Sequence, residues 1–319
     1  MYEAGAVTSP GNVREIIVFD RAEHRLPFSR GIMATSLLAT GVATEEAYRL
    51  ASIVQRQLIE HDIASIDADG LVDFTHELLL AQAADATIAD RWTAWRQAKR
   101  SGRPIVIVLS GAPGTGKSTL ATRLAVRLNI TRVITTDTIR DVLRTVIPSN
   151  VLPELHRSTF ETIDPVAVDP FSGFTRQCTA VGSAATAVAQ RLADEHRSVV
   201  LEGVHMLPGV TTVALSPHPA APIVVECLIV QTEIERHTEL LQRRVTSEPH
   251  RTGDRHVAHL DSIRLIQQRL IDDANSNMIA IVDGGDAADL THDIVDEIAR
   301  RLHDTPAPNP SFTGQPHSR

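Results

Sequence analysis

Apolar residues recur along this chain in two rhythms. In residues 44–61, Ala47, Leu50, Ala51, Val54 and Leu58 fall at three- and four-residue intervals, the stripe of an amphipathic helix. Similar spacing predicts helices over residues 31–40, 69–82 and 84–100, with Gly41 ending the first. Before them, residues 15–19 read as a short strand after a frayed start at 1–12, and Pro27-Phe28-Ser29 breaks the chain. From residue 105 the rhythm changes. Residues 105–109, Ile-Val-Ile-Val-Leu, are apolar throughout and rich in β-branched side chains, as a buried parallel strand must be. Shorter runs at 132–135, 199–201, 223–230 and 278–282 read the same way, with helical patterns between them. Such alternation predicts a parallel α/β sheet with helices on both faces. Ser101-Gly-Arg-Pro104 punctuates the boundary, so the expected domains are residues 1–100 and 101–304. Residues 305–319 hold Pro306, Pro308, Pro310 and Pro316 and read as a disordered tail.

The junction after the first long strand carries chemistry. Gly111-Ala112-Pro113-Gly114-Thr115-Gly116-Lys117-Ser118-Thr119 contains G-x-x-x-x-G-K-[ST] and opens a helix over 117–129, with Leu120, Leu124, Ala125 and Leu128 in register. Glycines let the backbone curl so that successive N–H groups face a phosphate, and the helix N-terminus adds its positive dipole end. Lys117 then neutralises the β- and γ-phosphates of a nucleotide, and the Ser118 hydroxyl ligates Mg2+. This run resembles the phosphate-binding loop of the P-loop NTPases.

Composition narrows the class. The chain has 319 residues and a net charge of −8, which excludes the basic surface of a general nucleic-acid binder. Aromatics make up only 3%, too few for base-stacking platforms. Apolar runs are far too short for a membrane helix, and no basic stretch followed by an apolar core opens the chain, so a cytoplasmic protein is expected. Cys178 and Cys227 fall in different elements and read as small buried hydrophobes. Trp92 and Trp95, three apart, read as a packing face.

Three further stretches hold candidate residues. Thr136-Asp137-Thr138-Ile139-Arg140 follows the second strand, where a carboxylate at the sheet's C-terminal edge faces the ligand crevice. Asp137 suits the acceptance of a hydroxyl proton and Arg140 the clamping of an anionic acceptor; the plain alternative makes Asp137 an N-cap. Val199-Val-Leu-Glu202 is an apolar strand ending in an acid, the pattern whose carboxylate holds Mg2+. Gly203 permits close backbone approach, and His205 stands where it can touch substrate or serve as a hydrogen-bonded structural residue. Residues 236–264 carry Arg236, Arg243, Arg244, Arg251, Arg255 and Arg264. Mobile arginines suit a transferring phosphoryl group; a solvated helix face partnered by Glu233, Glu235 and Glu239 is the plainer reading.

Taken together these stretches resemble the 2-phosphoglycerate kinase family. The resemblance rests on the glycine loop, Thr136-Asp137-Thr138-Ile139-Arg140, Leu152-Pro153, Leu201-Glu-Gly-Val-His205 with Leu207-Pro208-Gly209, and Ile263-Arg264 with Ile266-Gln267. Leu26-Pro27-Phe28-Ser29-Arg30-Gly31-Ile32 and the Ala47-Tyr48 helix are similar to the ATP-cone module that precedes the kinase domain there. It implies a P-loop kinase core behind a small, mainly helical ATP-cone-like domain that regulates the enzyme or assembles it into a homo-oligomer. It also implies transfer of the γ-phosphate of ATP to the hydroxyl of a small phosphorylated acceptor, 2-phosphoglycerate, giving 2,3-bisphosphoglycerate. Asp137 then sits near the acceptor, and Arg140, Arg243 and Arg251 are candidates for phosphate contact. The chain departs from the family at His256, where a tyrosine is usual, and at Asp20, Arg21 and Glu23, where ATP-cones carry a basic pair and a glycine. A kinase of another phosphorylated polyol, such as an inositol phosphate, and a non-catalytic nucleotide sensor are the competing expectations.

Overall fold

The computed structural model describes residues 16–20, 23–82, 87–247, 254–284 and 287–304. The expectations for residues 1–12, for the tail at 305–319 and for Arg251 lie outside the described residues. The chain divides into two compact units, Met1–Arg96 and Gln97–Arg319.

In the first unit β1 (Ile17–Phe19), β2 (Arg25–Pro27), α1 (Arg30–Leu38), α2 (Thr44–Glu60), β3 (Ser65–Asp67) and α3 (Ala68–Gln82) precede α4 (Thr87–Arg100), which crosses the division. The sheet has the order β2-β1-β3, with β1 antiparallel to β2 and parallel to β3. β2 and β3 escaped the sequence pattern because three residues are too few to display alternation. Pro27 pairs with Ile17 on the outermost strand, where a residue without an N–H is tolerated. The Ser29 hydroxyl then accepts from the Ile32 N–H at 3.3 Å and starts α1. The expected stripe on α2 is the observed one: Ala47, Leu50, Ala51, Val54 and Leu58 are all buried, against Leu37, Leu79 and Trp92.

The second unit runs β4 (Ile105–Ser110), α5 (Lys117–Arg127), β5 (Val133–Thr135), α6 (Thr136–Val146), two short 3-10 turns (Pro153–His156 and Thr159–Thr162), α7 (Ser172–Asp194) and β6 (Val199–Glu202). It continues with α8 (Val210–Leu215), β7 (Ile223–Val230), α9 (Ile234–Ser247), α10 (Asp254–Ala258), α11 (Leu260–Ser276), β8 (Ala280–Asp283) and α12 (Ala287–Asp304). All five strands are parallel in the order β5-β6-β4-β7-β8. β4 is buried at all six positions, because strands flank it and helices cover it. Val106 and Val108 meet Ala185 and Ala189 of α7. Ile107 and Leu109 point to the opposite face. α5 packs against β6, α12 against β7, and the two helices against each other. Among the described residues no helix is long and apolar enough to cross a membrane.

The cysteines behave as core residues. Both are buried and free, and burial raises the Cys178 thiol and pushes Cys227 up to about 12. Trp92 is 1% exposed and donates from Nε1 to the Val72 carbonyl at 3.1 Å. Trp92→Ala is therefore expected to destabilise the protein by about 3–5 kcal/mol, and Trp92→Phe by far less, as measured by urea unfolding.

Candidate active site

The parallel register brings three strand ends together. Glu202 of β6 lies opposite Leu109 of β4 on one side and Thr135 of β5 on the other. The glycine loop therefore begins where the acid of β6 and the start of α6 also stand, at the carboxyl edge that forms ligand crevices in such sheets.

The loop is shaped by its neighbours as well as by its own residues. Gly111, Gly114 and Gly116 take φ of 155°, 83° and 83°. At Gly114 a Cβ would lie 2.5 Å from Leu241 Cδ2 and 3.1 Å from His237 Cδ2, so α9 rests directly on the loop backbone. Lys117 is 7% exposed, and its Nζ donates to the Ala112 carbonyl at 3.1 Å, joined there by the Thr115 hydroxyl at 3.1 Å. The Ser118 hydroxyl donates to Glu202 Oε1 at 3.1 Å, and Glu202 is 4% exposed. The two residues expected to hold Mg2+ thus meet. A hydroxyl and a single carboxylate are a hard-oxygen pair that fits an ion completing its octahedron with water and phosphate oxygens.

Across the crevice, α6 is capped by the Thr135 hydroxyl, which accepts from the Thr138 N–H at 3.1 Å. Asp137 is therefore not the cap. It occupies the opening turn with Arg140 three residues on, which puts both on one face. The Nε of Arg140 is buried and has no hydrogen-bond partner.

His205 is fully buried, so in this conformation it stands behind the site wall and is not exposed to a substrate. Its Nδ1 lies 2.8 Å from the Thr136 hydroxyl, the first residue of α6. Burial pulls the imidazole down to about 4; the Asp137 carboxylate opposes this, while Arg140 and Lys117 reinforce it. His205 is neutral at physiological pH, and the charges that act on it are those of the crevice. Gly203 makes this packing possible, because a Cβ there would fall 1.8 Å from the Thr136 hydroxyl oxygen. Sequence reading did not reveal the Thr136–His205 pair, since the two residues lie 69 positions apart.

The arginines divide. Arg264 donates to the Gln231 and Thr232 carbonyls at 3.3 and 3.2 Å, a structural task. Arg243 stands on α9 with its side chain 77% exposed and Nη2 4.0 Å from Glu239, the solvated pair of the plainer reading. Arg236 is exposed on the same helix. His237, which no motif marked, is fully buried beside the loop with Nε2 2.8 Å from the Pro113 carbonyl.

Comparison with known proteins agrees with this geometry. Residues 89–305 match the family described as Zeta toxin. The 2-phosphoglycerate kinase of Pyrococcus furiosus is 33% identical over 285 residues, covering 87% of this chain and 91% of that protein. The 2-phosphoglycerate kinase of Methanopyrus kandleri is 30% identical over 297 residues, with 92% and 89% covered. That of Thermococcus kodakarensis is 31% identical over 295 residues, with 91% and 99% covered. A phosphate loop whose serine meets the acid of β6, on a parallel sheet, in a chain matched almost end to end by these proteins, places it in the 2-phosphoglycerate kinase family.

Proposed function

We propose that this protein transfers the γ-phosphate of ATP to the hydroxyl of 2-phosphoglycerate, giving 2,3-bisphosphoglycerate. The observation that carries the acceptor side is Arg140: a guanidinium Nε buried without a partner beside Asp137 is suited to an anionic ligand. The relatives bear the name of this reaction, which disfavours a polyol phosphate kinase or a non-catalytic sensor.

In this reading the backbone N–H groups of residues 111–119, Pro113 excepted, cradle the nucleotide phosphates. Lys117 leaves the Ala112 carbonyl to meet the β- and γ-oxygens. Ser118 and Glu202 hold Mg2+, which when bound spreads the charge of the transferring group. Arg140 grips the phosphate or carboxylate of the acceptor and sets its hydroxyl toward Asp137. Asp137 accepts the hydroxyl proton as the oxygen bonds to the γ-phosphorus and the bond to the departing ADP breaks; the proton then passes to solvent. His205 contributes by holding Thr136. Arg243 and Arg251 serve the transferring charge when the site closes on substrate. The first unit carries none of these residues and is read as regulating or assembling the enzyme; sedimentation is expected to find a homo-oligomer.

ATP consumption measured against 2-phosphoglycerate, 3-phosphoglycerate, glycerate and inositol phosphates tests the whole reading. Turnover is expected with the first, and equal turnover of glycerate, which lacks the phosphate, would sink it. Lys117→Ala is expected to reduce kcat by about 100-fold or more in a folded protein. Arg140→Lys keeps the charge but loses the planar fork, and is expected to raise the acceptor KM about 10-fold with the ATP KM unchanged. Asp137→Asn is expected to lower kcat by roughly 10²–10⁴-fold with little change in either KM. Steady-state kinetics with each substrate varied in turn checks all three.

A further inference from the structure

We infer that His237 is a positioning residue of the nucleotide site: its Nε2–H holds the Pro113 carbonyl, and through that bond α9 sets the shape of the phosphate loop. The inference rests on the nucleotide-binding part of the function proposed above.

The reasoning begins with backbone polarity. A loop that turns its N–H groups toward a phosphate turns carbonyls outward, and a buried carbonyl requires a donor. Ala112 O has two, Lys117 Nζ and the Thr115 hydroxyl, both from the loop itself. Pro113 O is met from outside, by His237 Nε2 at 2.8 Å. His237 is fully buried. Because the acceptor is a carbonyl, the nitrogen facing it carries the hydrogen.

The ring is neutral and does no chemistry. Its other nitrogen, Nδ1, is buried with no partner, so a second proton would find no acceptor. Burial lowers its proton affinity first, Arg264 of α11 and Lys117 of α5 lower it further, and the Pro113 carbonyl opposes them. A neutral donor suits this place, because a cation would stand beside the Lys117 ammonium.

α9 is itself braced, so the bond has something firm to pull against. The Gln231 N–H donates to Gln267 Oε1 at 2.9 Å, and Gln267 Nε2 donates back to Gln231 O at 3.0 Å. The Arg264 guanidinium takes the Gln231 and Thr232 carbonyls, three and two residues before α9 begins. Leu241, one turn after His237, is 1% exposed and would touch any side chain at 114. His237 and Leu241 together make the outer wall of the loop, and the same helix carries Arg236 and Arg243.

The test is ADP binding with Mg2+ by calorimetry, without acceptor, alongside thermal unfolding. His237→Phe fills the space but removes the donor, and is expected to weaken ADP about 10-fold. His237→Gln sets an amide N–H where Nε2 stood and is expected to restore binding to within about 3-fold of wild type. Leu215→Ala, in the separate core cluster of Val106, Ala185 and Ala189, supplies a destabilised protein with His237, Leu241 and the bracing from α11 intact; its Tm is expected to fall with ADP affinity unchanged. Should His237→Phe not fold, His237→Met removes the donor with a more adaptable side chain. Wild-type affinity in the donor-less variant, equal loss in the Gln variant, or equal loss in Leu215→Ala would each overturn the inference. Failure of the wild-type protein to bind ADP would instead overturn the nucleotide reading itself.

Discussion

A phosphate loop can present its amides to an anion only if every carbonyl it turns away finds a donor elsewhere. Much of the second unit follows from that requirement. Lys117 and Thr115 satisfy Ala112, His237 satisfies Pro113, and Gly203 N–H donates to the Leu109 carbonyl at 3.0 Å where the loop leaves β4. The donors come from the loop, from α9 and from the end of β6. The loop's conformation is thus a property of the sheet edge and of α9 as much as of its own glycines.

The same economy of buried polar groups places the acceptor side. Gly203 allows Thr136 to close against the end of β6, and the Thr136 hydroxyl meets His205. That contact sets the first turn of α6, and with it Asp137 and Arg140. Gly182 of α7 leaves room for the His205 carbonyl, which a Cβ would approach to 2.8 Å. Farther out, Gln177 of α7 donates to the Glu154 and Arg157 carbonyls at 2.6 and 3.0 Å, tying the first 3-10 turn to the helix. Glu226 of β7, 4% exposed, accepts from the Gly209 and Thr212 N–H groups at 2.7 and 2.6 Å and starts α8. These buried polar side chains make backbone connections that apolar packing alone would leave unfixed.

Electrostatically the crevice sets two cations, Lys117 and Arg140, among the carboxylates Asp137 and Glu202. His205 and His237 both stand close to cations, and burial lowers the proton affinity of both. In the proposed reading the positive charge of Lys117 and Arg140 stands where phosphate and acceptor would bind, and Glu202, bonded to Ser118, would hold the metal ion. The distribution accords with phosphoryl transfer, in which negative charge must be met at the transferring group and the acceptor at once.

Legibility in the sequence followed the range of the interactions involved. The glycine loop, the parallel strands, the stripe on α2 and the acid that ends β6 were readable, because each depends on local periodicity or on a motif whose spacing is its chemistry. β2 and β3 were not, since three residues carry no period. The Thr136–His205 contact, the His237 bond to Pro113 and the bracing by Gln267 join residues 69, 124 and 36 positions apart, and no local pattern announces them. The arginine-rich stretch shows the same limit: composition marked six residues alike, and only packing turned Arg264 toward backbone carbonyls and Arg243 toward Glu239. By itself the sequence determined that a nucleotide's phosphates are held and which side chains are chemically able to hold them. Tertiary structure decided which of those side chains meet and which stand behind the wall, because a buried donor and its acceptor are matched in space and not along the chain.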